Sequence, residues 1–295
     1  MENGECRAVT GPRAQILAVF GALVGLMTMA SLILPLLKRF RSPEQIEAFQ
    51  DRLKAWWTMA VVFVIINLIN GSLSLAGFAM LSGFALREYL TRVDDVPKAL
   101  RYSCYLAVPL QYLWVYMRWY GMFIVFIPVF FFLYVPTRVA PSKDSLRQAA
   151  LIHWGLMAAV FCVSHAAYLL VTDTPPVGGA GLMLFVMSLT ELGEAIRTLW
   201  SPSVLRLAAV LASAVGAASI LGPYLTPLTQ AHTLLAGFII GLGGEIASHR
   251  LADLRVALDL GNGPLKRGQG GALNRIIGLT YTAPLFFHGF RYFYQ

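Results

Sequence analysis

Two acidic residues stand close together near the end of a long apolar segment of this chain. Glu191 and Glu194 are three positions apart, so a helix places both carboxylates on one face, and Arg197 continues that face. An ionisable group within a membrane-spanning helix is costly and is therefore a functional candidate. The two carboxylates could hold a hard cation such as Mg²⁺. The alternative is a structural ion pair between Glu194 and Arg197.

A second candidate site is the glycine-rich stretch LKRGQGGALNRIIG at 265–278. Glycine tolerates positive φ and close backbone approach, so such a turn could direct N–H groups at phosphate oxygens. Basic side chains beside it would add charge-assisted hydrogen bonds. The residues concerned are Lys266, Arg267, Gly268, Gly270 and Gly271. The alternative is a flexible loop that carries basic residues and binds nothing.

A third group of polar residues follows the ninth apolar segment. Glu245, His249 and Asp253 are spaced four apart, which places them on one helix face. That face could bind a metal ion. The alternative is the polar end of a helix that enters solvent.

The composition indicates what must position these residues. Hydrophobic residues make up 57% of the 295-residue chain and charged residues only 13%, about half the charged fraction of a soluble domain. Apolar runs of about 20 residues, each long enough to cross a bilayer as a helix, recur throughout. The sequence predicts an all-α, polytopic integral membrane protein, one domain over 1–295 with about ten transmembrane helices. The apolar segments are 14–37, 57–71, 72–86, 102–117, 119–137, 149–172, 177–196, 203–223, 229–247 and 274–292.

The distribution of basic residues predicts the orientation of the chain. With the N-terminus outside, nineteen of the 23 Lys and Arg residues fall on the inner side, as the positive-inside rule requires. This predicts a multi-pass protein of the cytoplasmic (inner) membrane, with the glycine-rich loop region 248–273 on the cytoplasmic side. The same rule accounts for the pI of 9.6, so no nucleic-acid partner is expected.

A short amphipathic helix is predicted over 42–56, between the first two apolar segments. Ser42 can cap it, and Gln45 completes a capping box. Its apolar face carries Ile46, Phe49 and Leu53 with the following tryptophans. We expect this helix to lie in the headgroup layer of the membrane.

Two pairs of glycines are spaced as in membrane-helix packing motifs. They are Gly21 with Gly25, and Gly237 with Gly241. This spacing lets a neighbouring helix approach closely. Packing is the expected role of both pairs.

Several stretches of the chain resemble the phosphatidate cytidylyltransferase (CDP-diacylglycerol synthase) family. The C-terminal QGGALNRIIGLTYTAPLFFHGFRYF resembles the family's signature end, which reads Gly-His-Gly-Gly, then Leu-Asp-Arg-x-Asp and an apolar helix. Further similar stretches are FALREYL (84–90), VPLQYLWVYMRWYGMFIVFIPVF (108–130), HWGLMAAVFCVSHAAYLL (153–170) and LTELGEAI (189–196). The resemblance covers nearly the whole chain from about residue 50.

The resemblance implies a polytopic membrane enzyme that joins CTP to phosphatidic acid, forming CDP-diacylglycerol and releasing pyrophosphate. It implies Mg²⁺ or Mn²⁺ as cofactor and phosphatidic acid, or another anionic phospholipid, as the membrane partner; a homodimer is left open. The implied catalytic residues are Glu191, Glu194 and Arg275, with Asn274 among the phosphate-binding residues. The implied metal ligands are Glu191, Glu194, Glu245 and Asp259.

The chain departs from the family pattern at the charged positions. Gln269 replaces the histidine of the turn, and Asn274-Arg275-Ile276-Ile277 replaces Asp-Arg-x-Asp, so that both aspartates are absent. Asp253 or Asp259 would have to fold back to compensate. Two hypotheses follow. The protein transfers cytidylyl groups, or it is a catalytically degenerate relative that binds anionic phospholipid or regulates a partner enzyme.

Overall fold

The computed structural model describes residues 12–37, 39–40, 42–47, 49–54, 56–57, 71–175, 178–257 and 272–295. These residues form helices throughout, joined by short turns. The helices are α1 (Pro12–Leu37), α2 (described over 43–47, 49–54 and 56–57), α3 (Gly71–Leu90), α4 (Lys98–Tyr116), α5 (Tyr120–Arg138), α6 (Ser145–Leu170), α7 (Gly178–Leu199), α8 (Val204–Leu225), α9 (Gln230–Ala257) and α10 (Ala272–Tyr294). Short π-helical turns interrupt α5 at Phe126–Phe131 and α6 at Met157–Cys162.

The predicted all-α membrane fold is confirmed. Within the described residues, five helical segments are long and apolar enough to cross a membrane: Tyr120–Arg138, Ser145–Leu170, Gly178–Leu199, Val204–Leu225 and Gln230–Arg250. The predicted segment 57–71 lies almost wholly outside the described residues, so the count of about ten spans stays a prediction. Helix α9 continues to Ala257, so the first part of the predicted loop region 248–273 is helical.

One of the two glycine pairs packs two helices together. Helix α9 lies against α8, and a Cβ at Gly237 would be 2.8 Å from the carbonyl oxygen of Ala214 and 2.7 Å from the Cβ of Ala218. Gly241 also faces Ala214. The predicted packing role is therefore confirmed for this pair. No described atom lies within 4 Å of a Cβ built at Gly21 or Gly25, so close packing is not seen there.

Helix α2 lies along the C-terminal part of α7, with contacts from Glu191 to Leu199. The predicted capping box forms, because Ser42 Oγ accepts from the Gln45 backbone N–H and Gln45 Oε1 accepts from the Ser42 N–H, both at 3.3 Å. Gln45 Nε2 also donates to the Leu199 carbonyl oxygen, one of the C-terminal carbonyls that a helix leaves unbonded. Ile46, Phe49 and Leu53 are buried against the protein. The apolar face of α2 is thus covered by the protein. The predicted position of this helix in the headgroup layer stays a prediction.

Candidate functional site: an arginine–glutamate cluster

The acidic pair predicted from the sequence lies near the C-terminal end of α7. Glu191 and Glu194 are both largely buried, with side-chain exposures of 22% and 13%. Helix α10 approaches this face where it has no side chain, since a Cβ at Gly278 would lie 2.9 Å from Thr190 Cγ2. Thr190 also donates a hydrogen bond to Thr282 of α10. These contacts fix the acidic face of α7 against α10.

Arg52 of α2 binds both carboxylates at once. Its Nη1 lies 3.0 Å from Glu191 Oε2, and its Nη2 lies 3.1 Å from Glu194 Oε2. The indole N–H of Trp56 donates to the same oxygen of Glu191. Burial of the guanidinium favours the neutral form, but Glu194 and Glu191 stabilise the charged form more strongly, so the pKa of Arg52 is raised. Arg52 is therefore a permanent cation at this position.

Arg197 is buried between two helices. Its side chain is 2% exposed, and its Nη2 lies 2.9 Å from Glu194 Oε1 while its Nη1 lies 3.7 Å from Glu245 Oε2. Two glycines make room for the guanidinium: a Cβ at Gly193 would lie 3.1 Å from Nη1, and one at Gly244 would lie 2.6 Å from Nη2. Each glycine directly precedes a glutamate that pairs with Arg197. The predicted Glu194–Arg197 pair is confirmed, and it extends to α9.

Arg206 completes the group from α8. It stands in the first helical turn after the cap Ser203, whose Oγ accepts the Arg206 backbone N–H. Its side chain is 2% exposed and its Nη2 pairs with Glu245 Oε1. Among the described residues, Nε and Nη1 of Arg206 have no hydrogen-bond partner. Buried guanidinium N–H groups are normally satisfied, so this edge of Arg206 is a candidate for binding an anion.

We call these six residues the arginine–glutamate cluster. Its members are Arg52, Arg197, Arg206, Glu191, Glu194 and Glu245, contributed by α2, α7, α8 and α9. Their formal charges cancel. His249 Nε2 approaches Glu245 at 3.5 Å but is 63% exposed. Glu245 is thus a buried ion-pair partner, and the predicted alternative of a solvent-exposed polar helix end holds only for His249 and for Asp253, which is 62% exposed.

The other predicted site residues fall into two groups. Asn274 and Arg275 occupy the first turn of α10, about one turn before Gly278, where a Cβ would lie 3.6 Å from Glu194 Cγ; the side chains of Asn274 and Arg275 are not among those described. The N-terminus of the same helix is bound by Glu88, whose Oε2 accepts from the Leu273 N–H at 3.2 Å. Lys266, Arg267, Gly268, Gly270, Gly271 and Asp259 lie outside the described residues.

The carboxylates of the cluster do not fit a metal site as they stand. Glu191, Glu194 and Glu245 all accept from or face guanidinium groups, and the described part of the chain contains no group of three or more His, Cys, Asp or Glu residues able to hold an ion. Asp253, proposed as a compensating acid, pairs instead with Arg250 at 2.7 Å. Guanidinium groups supply here the positive charge that a cation would otherwise bring.

Two residues of the cluster were not identified from the sequence, although each had a signal. Arg52 follows Phe49 by three positions and precedes Trp56 by four, so it borders the apolar face of α2 instead of opposing it. Arg206 lies in the first turn of a helix, where the helix dipole disfavours a cation. A basic residue retained at such a place indicates a specific acidic partner or ligand.

Comparison with known proteins identifies the family of this chain. Residues 50–194 match the sequence profile of the cytidylyltransferase family, and this span includes Arg52, Glu191 and Glu194 but stops before the glycine-rich turn. The uncharacterized protein YnbB of Escherichia coli (strain K12) is 34% identical over 266 residues, which cover 82% of this chain and 87% of that protein. No solved structure matches significantly. The chain belongs to the cytidylyltransferase family.

Proposed function

We propose that this protein binds phosphatidic acid, holding the lipid's phosphate monoester at the arginine–glutamate cluster. The observation that carries the proposal is Arg206, whose buried guanidinium keeps Nε and Nη1 without a hydrogen-bond partner among the described residues. A phosphate monoester carries a charge of about −1.5 to −2 and three acceptor oxygens. Arginine binds such a group with charge-assisted, bidentate hydrogen bonds.

The surroundings of Arg206 suit a ligand that is a lipid. Val204 and Leu205, in the same helical turn, are 85% and 71% exposed, and further along α8 Ile220 is 66% exposed. An exposed apolar face on a membrane-spanning helix is a surface for acyl chains. Because the Arg206 side chain is only 2% exposed, the phosphate would reach the guanidinium after a movement of that side chain, while the acyl chains lie along α8. The distribution of basic residues supports placing this end of the helices on the cytoplasmic side.

Lipid binding can be tested by substitution of Arg206. We expect Arg206→Gln to weaken phosphatidic acid binding about ten-fold or more, because a charge-assisted hydrogen bond contributes about 1.5–3 kcal/mol. Binding would be measured as retention of labelled phosphatidic acid by the purified protein in nanodiscs, against phosphatidylcholine. Arg250→Gln is the matched control, since Arg250 is 60% exposed at the same end of α9.

The same assay separates the sources of a bound phosphate. Glycerol 3-phosphate shares the phosphate monoester but lacks the acyl chains, so its competition would assign the site to phosphate alone. Equal retention of phosphatidic acid and phosphatidylcholine by a folded protein would contradict the proposal. So would an equal loss in the Arg206→Gln and Arg250→Gln variants.

The reaction of the family is the second candidate function, and the match over 50–194 favours it. In that reaction a phosphate oxygen of phosphatidic acid attacks the α-phosphorus of CTP, the α–β phosphoanhydride bond breaks, and pyrophosphate leaves. In this chain the cluster arginines would hold and neutralise the attacking lipid phosphate. Replacement of both signature aspartates and the binding of the carboxylates by arginine argue for binding without transfer.

We therefore expect no CTP-dependent formation of CDP-diacylglycerol above the level of the Glu191→Gln variant. The measurement uses purified protein in detergent with phosphatidic acid, CTP and Mg²⁺ or Mn²⁺. Product that depends on CTP and disappears in Glu191→Gln, while that variant remains folded, would establish the transferase. Comparison of the wild-type protein with Glu191→Gln thus distinguishes cytidylyl transfer from lipid binding without transfer.

A further inference from the structure

Arg52 occupies the space between two carboxylates on one helix. Its two terminal nitrogens contact Oε2 of Glu191 and Oε2 of Glu194 at 3.0 and 3.1 Å. A divalent cation that bridged these two oxygens at ligand distances of about 2.0–2.6 Å would have to occupy the space that the guanidinium fills. The guanidinium and a metal ion therefore exclude each other at this pair.

Arg52 is held there by a docked helix. The apolar side chains Ile46, Phe49 and Leu53 of α2 are buried, and Trp56 donates to the same Glu191 oxygen as Arg52. Gln45 fastens the other end of α2 to the Leu199 carbonyl oxygen of α7. The side chain is thus positioned by at least three independent contacts of its helix.

We propose that the guanidinium of Arg52 is the fixed cation of the acidic pair, so that Glu191 and Glu194 bind no divalent metal while α2 is docked. This inference rests on the proposed function for the importance of the site, and it assigns to a side chain the positive charge that neutralises the acidic pair. Recognition of the lipid phosphate is then independent of divalent cations. Withdrawal of Arg52 uncovers a two-carboxylate site.

The proposal is tested with Mn²⁺ as the probe, by electron paramagnetic resonance of free and bound ion. We expect the wild-type protein to show no saturable Mn²⁺ binding. The apparent Mn²⁺ affinity of Arg52→Gln should exceed that of the wild type at least about ten-fold, a change of about 1.4 kcal/mol or more. Arg52→Lys keeps a cation and should behave as wild type. Adding Glu191→Gln and Glu194→Gln to Arg52→Gln should abolish the new site.

Two results would overturn the inference. One is a folded Arg52→Gln protein that binds Mn²⁺ no better than wild type. The other is saturable Mn²⁺ binding by the wild-type protein that is lost in the Glu191→Gln, Glu194→Gln double variant. This second test does not require Arg52→Gln to fold. The Mn²⁺ measurement contains no lipid. If the earlier assay shows no specific binding of phosphatidic acid, the proposed function fails, but the Mn²⁺ result still stands.

Discussion

Replacement of Arg197 by methionine is expected to lower the free energy of unfolding by about 3–5 kcal/mol. The side chain is 2% exposed and lies between Glu194 and Glu245. Arg52 and Arg206 still pair with Glu194 and Glu245. Without Arg197, however, three buried carboxylates face two guanidiniums, which leaves one uncompensated buried negative charge. Methionine fills part of the space between Gly193 and Gly244. The change in stability therefore comes mainly from the lost charge and less from lost side-chain volume. Unfolding of the purified protein by SDS in mixed micelles measures the difference.

The control for this substitution is Arg250→Met. Arg250 makes a shorter ion pair than Arg197 does, 2.7 Å from Asp253, but the two side chains are 60% and 62% exposed. An exposed pair contributes about 0–1 kcal/mol, so we expect little change. If Arg197→Met and Arg250→Met lowered the free energy of unfolding by similar amounts, the buried ion pairs would stabilise the fold no more than the exposed pair does.

The second large effect is expected for Glu245→Leu, again about 3–5 kcal/mol. Glu245 faces Arg197 and Arg206, both 2% exposed, and its loss leaves an excess of buried positive charge. Combining it with Arg206→Met removes one of these uncompensated charges. The double variant should therefore be more stable than the sum of the single losses predicts, by about 1 kcal/mol or more.

The same unfolding assay checks this non-additivity. Asp253→Leu is the control, because Asp253 is on the same helix but 62% exposed and should change stability by less than about 1 kcal/mol. Strict additivity of Glu245→Leu and Arg206→Met would mean that the two side chains are not energetically coupled. The close contact between them would then carry no net stability.

The apolar segments predicted most of the fold because a run of about 20 apolar residues must form a helix in a membrane. The pairing of Glu194 with Arg197 was also predictable, since both lie on one helix three positions apart. The bonds from Arg52 to Glu191 and from Arg206 to Glu245 join residues far apart in the chain. Such pairs depend on how α2 docks and how α8 and α9 pack, which spacing along one segment does not specify.

Glu245 also shows that spacing along one segment does not specify contacts between helices. Its spacing to His249 and Asp253 indicated either a metal-binding face or a helix end in solvent. The structure buries Glu245 because Arg206 enters from α8 and Arg197 from α7. Gly193-Glu194 and Gly244-Glu245 are matching dipeptides around one arginine, a relation that is visible in the sequence only once the two helices are known to be neighbours.

The docking of α2 has a consequence for the biogenesis of the protein. Arg52 and Glu191 are 139 residues apart. At about 5–20 residues per second of synthesis, the arginine leaves the ribosome roughly 7–28 seconds before its partner. During that interval we expect α2 to lie at the membrane surface with its guanidinium hydrated. Its docking is therefore a late step of assembly. A nascent chain halted before α7 should leave α2 open to protease, whereas one extended past residue 199 should protect it.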